Sequence, residues 1–176
     1  FILKKKNNFP NTISAELSKP YYYNIFNNKY KLHCLLSIVS ILNISIIEGQ
    51  KVFGLFRLSE EIIETLLSQD KWIVDYFLFL LNLLKLIGYD INFYKNLSRD
   101  FFNLENLDFE DTFKSKSIKF PHFLLSRKED INIETANSFF KIFETIFQNH
   151  HLNNMNLNIP IHYLKFKKLI LSFLSK

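Results

Sequence analysis

The sequence has little glycine, proline and cysteine, and each shortage excludes a class of protein. Three glycines and four prolines in 176 residues are too few for the many tight turns of an all-β chain. Three glycines also leave no phosphate-binding loop of the kind that nucleotide-binding enzymes use. Cys34 is the only cysteine, so an internal disulfide is excluded and a reducing compartment fits.

The motifs of hydrolases and of metal sites are missing as well. Neither G-x-S-x-G nor H-E-x-x-H occurs. His33 and Cys34 are neighbours in a predicted helix, where their side chains point about 100° apart, so they do not form a nucleophile and its base. His150 and His151 have no Cys, Asp or Glu at ligand spacing beside them. We therefore expect no catalytic residue, no cofactor and no bound metal.

Hydrophobic side chains, by contrast, are plentiful. They make up 48% of the chain, with 20 phenylalanines, which is enough to fill one core and argues against a disordered chain. The formal charge of +5 permits contact with nucleic acid or with an acidic partner. The same charge also fits a helical interaction domain with no nucleic-acid role, and that alternative stays open.

Residues 70–88 carry the strongest helical pattern. Apolar residues recur there at steps of three and four, namely Trp72, Tyr76, Phe79, Leu80, Leu83 and Ile87. Because most of its circumference is apolar, such a helix must be surrounded by other elements, which predicts a central core helix. Asp70 is the expected N-cap, and Gly88 the residue just past the end. Asp75, Asn82 and Lys85 interrupt the apolar run, which argues against the rival interpretation as a membrane span.

Weaker patterns flank this central helix. Apolar spacing predicts further helices at 21–27, 30–44, 52–67 and 134–149, and a last one from Pro160 onward. Ser59 is expected to cap a restart of the helix in 52–67, since two glutamates follow it. Residues 91–119 show no sustained period, so we expect an irregular insert there. In the last helix we expect an inward face of Leu164, Leu169, Ile170, Phe173 and Leu174, and an outward face of Lys165, Lys167 and Lys168.

Residues 1–19 differ from the rest of the chain. Phe1 to Leu3 and Thr12 to Leu17 are typical of two short strands around an N-N-F-P-N turn. Two strands are marginally stable alone, which indicates that they belong to a larger β domain. The fold class we predict is mainly α, a helical domain around one buried helix at about 70–88, preceded by these two strands.

The long middle segment resembles the recombination mediator family RecO. The landmark of that family is an aromatic-rich helix of the form F/Y-x-x-F-x-L-x-L-L-x-x-L-G, matched here by Tyr76, Phe79, Leu83, Leu84, Ile87 and Gly88. Further along, K-F-P-H-F-L-L resembles the family's L-P-x-F-L element, and N-I-P-I-H-Y-L-K resembles the start of its final helix. The matches follow the family's order over nearly the whole chain.

The resemblance implies both a domain order and a function. Residues 1–19 would be the last strands of a truncated OB-fold domain, and residues 20–176 the helical C-terminal domain. The implied function is non-enzymatic, in recombinational DNA repair in the bacterial cytoplasm, at the nucleoid and away from membranes. Members of the family bind single- and double-stranded DNA and anneal complementary strands. With RecR they load RecA onto strands coated by single-stranded-DNA-binding protein.

The sequence departs from the family in two features. Many members place a zinc-binding C-x-x-C after the landmark helix, and counting from Gly88 those positions fall at Asn96 and Arg99, which supply no thiolate. We therefore expect no zinc, and the 91–119 insert must be held by its Phe and Leu residues or be loose. The family's arginine in the last helix has no clear equivalent, and Lys165 in that region lacks a bidentate fork.

The candidate binding residues are basic and aromatic. Lys4 and Lys6 end a strand of the expected OB fold and are candidates for DNA binding; a solvated strand edge is the alternative. The resemblance also implies docking of the acidic tail of single-stranded-DNA-binding protein, which ends in Asp-Phe-Pro-Phe. For that peptide the last helix offers Lys165, Phe166, Lys167, Lys168 and Phe173, unless this helix is only a lid on the core. Lys29 and Lys31 are the next candidates.

Overall fold

The helices account for most of the described chain, as predicted. The computed structural model describes residues 2–4, 12–14, 25–47, 49–89, 91–93, 98–126 and 131–176. The helices are α1 (Lys29–Ser45), α2 (Leu55–Ser68), α3 (Ile73–Leu86), α4 (Phe123–Ser126), α5 (Ile133–Ile146) and α6 (Ile161–Leu174). The strands are β1 (Ile2–Lys4), β2 (Thr12–Ser14), β3 (Phe101–Asn103), β4 (Asp108–Glu110) and β5 (Ser117–Lys119). A π-helical segment, Phe147–Leu152, and a 3-10 turn, Asn153–Met155, follow α5.

The central helix α3 is confirmed as the core of the domain. Its buried residues are Tyr76, Phe77, Leu78, Phe79, Leu80, Leu81, Leu83 and Leu84. The end of α3 is also as predicted: Gly88 adopts φ 107°, and the amides of Gly88 and Tyr89 donate to the carbonyls of Lys85 and Leu84 at 3.2 and 2.9 Å. This pair of bonds is the Schellman arrangement, which satisfies carbonyls at the helix end.

The start of α3 differs from the prediction. Trp72, not Asp70, is the N-cap, and the amide of Tyr76 donates to the Trp72 carbonyl at 3.0 Å. Trp72 is buried whereas Asp70 is exposed. Packing of the indole in the core therefore fixes where the helix begins, and it outweighs the capping preference of the aspartate. At 14 residues α3 is too short for a bilayer; no other helix in the described ranges is long and apolar enough to cross one.

Helices α1, α5 and α6 surround α3 through aromatic and polar contacts. Phe77 stacks on Phe139 of α5 with ring centroids 4.2 Å apart. Tyr76 meets Phe166 of α6 edge-on at 4.6 Å. The Tyr76 hydroxyl shares a buried 2.8 Å hydrogen bond with Ser37 of α1, and burial raises the pKa of this phenol well above its usual value. Helix α3 thus contacts α5 through Phe77, and both α6 and α1 through Tyr76.

The helix predicted to restart at Ser59 does not do so. Helix α2 runs without a break, and the Ser59 hydroxyl donates to the Leu55 carbonyl one turn back at 2.9 Å. A serine inside a helix makes this bond readily, so a serine followed by glutamates is not a sufficient capping signal. The true N-cap is Gly54, in the left-handed conformation at φ 84°. Of the helix predicted at 21–27, residues 21–24 lie outside the described part of the chain.

The inward face of α6 also differs from the prediction. Ile170 is buried as expected, but Leu164 and Phe173 are exposed, while Tyr163 and Phe166 are buried instead. Leu169 and Leu174 of the predicted face are half-buried. Apolar residues occur around most of α6, so its sequence leaves the rotation of the helix undetermined, and packing against Tyr76 decides it.

The insert predicted to be irregular contains a small sheet, and that prediction is wrong. Strands β3, β4 and β5 form a three-stranded antiparallel sheet in the order β4-β3-β5. Phe102 at the centre of β3 pairs with Phe109 of β4 and Ile118 of β5. Each strand has only three residues, too few for an alternating pattern to show in the sequence.

A cluster of phenylalanines holds this sheet on the domain. Phe93, Phe102, Phe109 and Phe120 are all buried, and the rings of Phe102 and Phe109 lie 6.4 and 5.1 Å from the Phe120 ring. Phe93 stacks on Phe120 at 5.4 Å with an interplanar angle of 15°. Of the two alternatives for the insert, packing by its aromatic residues is therefore the one observed.

Arg99 occupies a position where many RecO-like sequences have a zinc ligand, and here it makes hydrogen bonds. Its guanidinium donates to the Phe109 carbonyl at 2.9 Å, and its own carbonyl lies 2.6 Å from Nε2 of His122. One residue thus links β4 to the segment after β5. Asn96, the other such position, lies outside the described residues.

The two N-terminal strands are present as an antiparallel pair. Ile2 lies opposite Ser14 and Lys4 opposite Thr12. This confirms strands at residues 2–4 and 12–14 within the two predicted regions. The larger β domain to which the sequence assigns them remains a prediction.

Candidate partner-binding surface

The five residues predicted to dock a peptide all lie on α6, but the fold separates them. Lys165 and Lys168 are exposed, as predicted. Phe166 is fully buried, with its ring 6.1 Å from that of Trp72 and 4.6 Å from that of Tyr76. A ring enclosed by the core is closed to an incoming peptide. Phe166 is therefore a core residue in this structure, and the surface has to be built without it.

Lys167 turns inward and forms an ion pair. Its ammonium lies 2.7 and 2.8 Å from the two carboxylate oxygens of Glu144 on α5, and 5.7 Å from the centre of the Phe140 ring. Both members of the pair are about three-quarters buried. Withdrawing Lys167 to bind a ligand would leave the partly buried carboxylate of Glu144 without its cation, which is unfavourable. We therefore assign Lys167 to the packing of α6 on α5.

Phe173 is accessible, which agrees with its candidate docking role but not with its place on the predicted inward face, and it has a partner that the sequence did not indicate. It is 46% exposed, and its ring centroid lies 4.9 Å from that of Tyr30 at the start of α1. The ammonium of Lys29 sits over the other ring of this pair, 5.0 Å from the centre of Tyr30. Helices α1 and α6 therefore run antiparallel, with an aromatic pair and a cation at one end.

We call five residues of these two helices the α1–α6 surface: Lys29, Tyr30 and Phe173 at one end, and Lys165 and Lys168 on earlier turns of α6, about 80° and 140° around the helix from Phe173. A partly open aromatic pair offers contact to an apolar side chain, and the lysines offer partners for carboxylates. None of these three lysines has an ion-pair partner among the described residues. The five residues thus combine aromatic and basic groups, the two kinds of group that a peptide with acidic and aromatic side chains would contact.

The candidate DNA-binding lysines are less well defined by the structure. Lys4 is the last residue of β1, but its side chain lies outside the described part of the chain. Lys6 lies outside it altogether. Their role remains a prediction from the sequence.

No group of three or more potential metal ligands from His, Cys, Asp and Glu occurs within the described ranges. A cleft beside α5 is lined by residues 104–105 and 115–117, and within it Lys116 is already paired with Glu105 at 2.7 Å. Cys34 is buried in α1, and burial raises the pKa of its thiol well above the usual value. A buried, neutral thiol is a packing group.

The mainly helical domain with a small three-stranded sheet is consistent with the C-terminal helical domain of a RecO-type recombination protein. Residues 29–101 match the family model for recombination protein O, C terminal. This segment belongs to that family, and it spans α1, α2, α3 and the first residue of β3. The chain therefore has a role in DNA recombination and repair. No curated protein and no solved structure matches the chain.

The matched segment contains two of the five residues of the α1–α6 surface. Lys29 and Tyr30 lie inside the match, whereas the residues contributed by α6 lie beyond it. The family match and the ring contact between Tyr30 and Phe173 are therefore independent observations. The family match covers α1, and the ring contact shows that the fold places α6, which lies outside the match, beside it.

Proposed function

We propose that this chain is a non-enzymatic recombination mediator. It binds single- and double-stranded DNA, promotes annealing of complementary strands, and acts with RecR and single-stranded-DNA-binding protein in loading RecA. The observation that carries the proposal is the match of residues 29–101 to the C-terminal region of recombination protein O. We further propose that residues 1–19 are the end of an OB-fold domain, that residues 20–176 are the helical domain, and that the protein works in the bacterial cytoplasm.

Binding to oligonucleotides over a range of salt concentrations tests this function. Each phosphate neutralised by a lysine or arginine releases counterions, so affinity for a single strand should fall steeply as salt rises. A chain that shows no salt-dependent DNA binding would instead be a helical interaction domain without a nucleic-acid role. An annealing assay with complementary oligonucleotides then tests the mediator function itself.

The double substitution Lys4→Gln and Lys6→Gln is expected to weaken DNA binding and to flatten its salt dependence. Alternate residues of a strand share a face, so these two lysines would contact the same phosphate track if the strand continues to Lys6. With two fewer phosphates neutralised, the slope of log affinity against log salt should decrease by about 1.4 for a single strand. Lys5→Gln, on the opposite face, is the matched control. An unchanged slope in the double variant would assign these lysines to a solvated edge.

For the acidic tail of single-stranded-DNA-binding protein we propose the α1–α6 surface. The terminal phenylalanine of that tail requires an apolar contact, for which Tyr30 and Phe173 are in place at 4.9 Å from each other. Its aspartate and terminal carboxylate require cations, for which Lys29, Lys165 and Lys168 are the candidates. Exposure of Lys165 and Lys168 supports their part in this contact.

Reversing two charges, Lys165→Glu and Lys168→Glu, is expected to weaken binding of a labelled tail peptide by about tenfold or more. An ion pair at an exposed rim is worth roughly 0.2–1 kcal/mol, and the introduced glutamates add repulsion. Titration of the peptide by fluorescence anisotropy measures the change, with Lys119→Glu on the exposed edge of β5 as the control. Equal affinity for the double variant and the parent would move the site toward Lys29 and Lys31.

A further inference from the structure

Two phenylalanines at the start of α2 lie almost entirely in solvent. Phe53 is 87% exposed and Phe56 is 78% exposed, the two highest values among the large apolar side chains in the described chain. Exposed aromatic side chains that lie together generally mark a binding surface, because their hydration is unfavourable. Most described phenylalanines of this protein are buried, so this pair departs from the pattern of its own chain.

The local fold explains why these rings cannot turn inward. Helix α2 packs on the core through Ile62 and Leu66, both buried, and Leu55 is on the same side of the helix. Phe56 follows Leu55 and is therefore rotated about 100° from it. Phe53 precedes Gly54, whose left-handed backbone (φ 84°) turns the chain into the helix and lies near Leu86 of α3. An L-residue at Gly54 would be strained, so the turn that presents Phe53 is built into the backbone.

Cations lie close to Phe53 and Phe56 in sequence, and two of them line a groove next to Gly54. Lys51 lies two residues before Phe53 and is exposed. Arg57 follows Phe56, and together with Lys85 of α3 it lines a groove of about 300 Å³ beside Gly54. Lys51 and Lys85 have no acidic partner among the described residues.

Arg57 is paired, but only at the surface. Its guanidinium lies 2.7 Å from Glu61 one turn along α2, and its side chain is 85% exposed. An exposed pair at this spacing contributes little to stability, so an arriving phosphate competes for the guanidinium readily. Glu61 is also the single acidic residue of the groove.

We infer that Phe53 and Phe56, with Lys51, Arg57 and Lys85 around them, form a contact site for single-stranded nucleic acid. Bases of a single strand stack on exposed aromatic faces without regard to sequence, while phosphates pair with cations beside them. A duplex keeps its bases stacked internally and offers only phosphates, so this site selects single strands. The inference rests on the proposed function of DNA binding. It adds a contact on the helical domain, apart from the N-terminal lysines and the α1–α6 surface.

The test compares variants that separate stacking from hydrophobicity. We expect Phe53→Ala with Phe56→Ala to lower the affinity of the full chain for oligo(dT) by about 5- to 100-fold. The corresponding double leucine variant keeps apolar area but has no π face, and it should remain weak. The double tyrosine variant should restore binding. Phe113→Ala, at an exposed phenylalanine of the insert, is the matched control and should bind as the parent does. Thermal melts establish that every variant is folded.

Each outcome decides the matter. Parent-like affinity in the double alanine variant overturns the inference and leaves the proposed function intact. Restoration by leucine overturns it in favour of an apolar protein partner at this surface. No salt-dependent binding by the parent overturns the proposed function and this inference together. Weak binding with alanine and leucine and rescue by tyrosine supports both.

A second measurement reports the contact directly. Trp72 is the only tryptophan and is buried, so it contributes a constant background to fluorescence. The variant Phe53→Trp should show quenching of its exposed indole when oligo(dT) is added, and much less quenching with a blunt duplex of equal length. Equal quenching by the two ligands, or none by oligo(dT), would contradict stacking at this position.

Discussion

Replacing Phe77 with alanine is expected to lower the free energy of unfolding by about 3–5 kcal/mol. The ring is fully buried at the centre of α3. It stacks on Phe139 at 4.2 Å and meets Phe140 edge-on at 5.1 Å. Alanine removes both ring pairs and leaves a cavity between two helices whose backbones are fixed by their other neighbours, so little relaxation is available to fill it.

Urea denaturation followed by far-ultraviolet circular dichroism measures this destabilisation. Phe53→Ala provides the matched control, since the same change at an exposed ring should alter stability by no more than about 0.5 kcal/mol. Leu83→Ala, also fully buried in α3, should cost about 2–5 kcal/mol. Changes below about 0.5 kcal/mol for both core variants would show that α3 is not the centre of the fold.

Replacing Phe102 with alanine should release the insert while leaving the helices folded. Phe102 is fully buried, and its ring centroid lies 5.1 Å from that of Phe109 and 6.4 Å from that of Phe120. Its removal should cost about 3–5 kcal/mol, the usual range for a buried phenylalanine. Strands of three residues cannot hold together on backbone bonds alone. We therefore expect the three-stranded sheet to open first.

Amide hydrogen exchange resolved along the chain distinguishes local from global unfolding. Protection should fall across β3, β4 and β5 and persist in α3. Phe53→Ala, at an exposed ring outside the insert, should leave the protection of the sheet unchanged. Added zinc should not restore protection, because Arg99 stands where a thiolate would be needed. Protection of the sheet equal to that of the parent would mean that the aromatic cluster does not hold the insert.

The sequence permitted prediction of α3 and of its end because both depend on local signals. A helix that is apolar around most of its circumference is buried by its neighbours in a globular domain. Glycine is favoured at the C′ position because it adopts the left-handed conformation without a steric clash. The predicted start of α3 was wrong because burial of Trp72 outweighs the capping preference of Asp70, two residues earlier. The small sheet was missed because its stability comes from rings distant in sequence, such as Phe93 and Phe120.

The candidate surface was predicted only in part, and for a similar reason. Lys165 and Lys168 are accessible as expected, and Phe173 is accessible although the sequence also placed it on the inward face. Phe166 was assigned to the same surface because periodicity on an apolar helix does not fix its rotation. The pairing of Phe173 with Tyr30 depends on how α1 and α6 cross, and nothing local in either segment indicates it. The exposed pair Phe53 and Phe56 was likewise assigned to a helical stretch without its orientation.

The antiparallel packing of α1 and α6 has a consequence for how the protein is made. The contacts of Tyr30 with Phe173, and of Tyr76 with Phe166, join early and late parts of the sequence. In a chain still emerging from the ribosome, the faces of α1 and α3 that α6 covers in the folded domain therefore stay exposed until α6 has been synthesised. Contacts of such long sequence separation form slowly, and exposed apolar faces bind chaperones or other nascent chains in the interval. Completion of α6 is thus the step that ends this exposure.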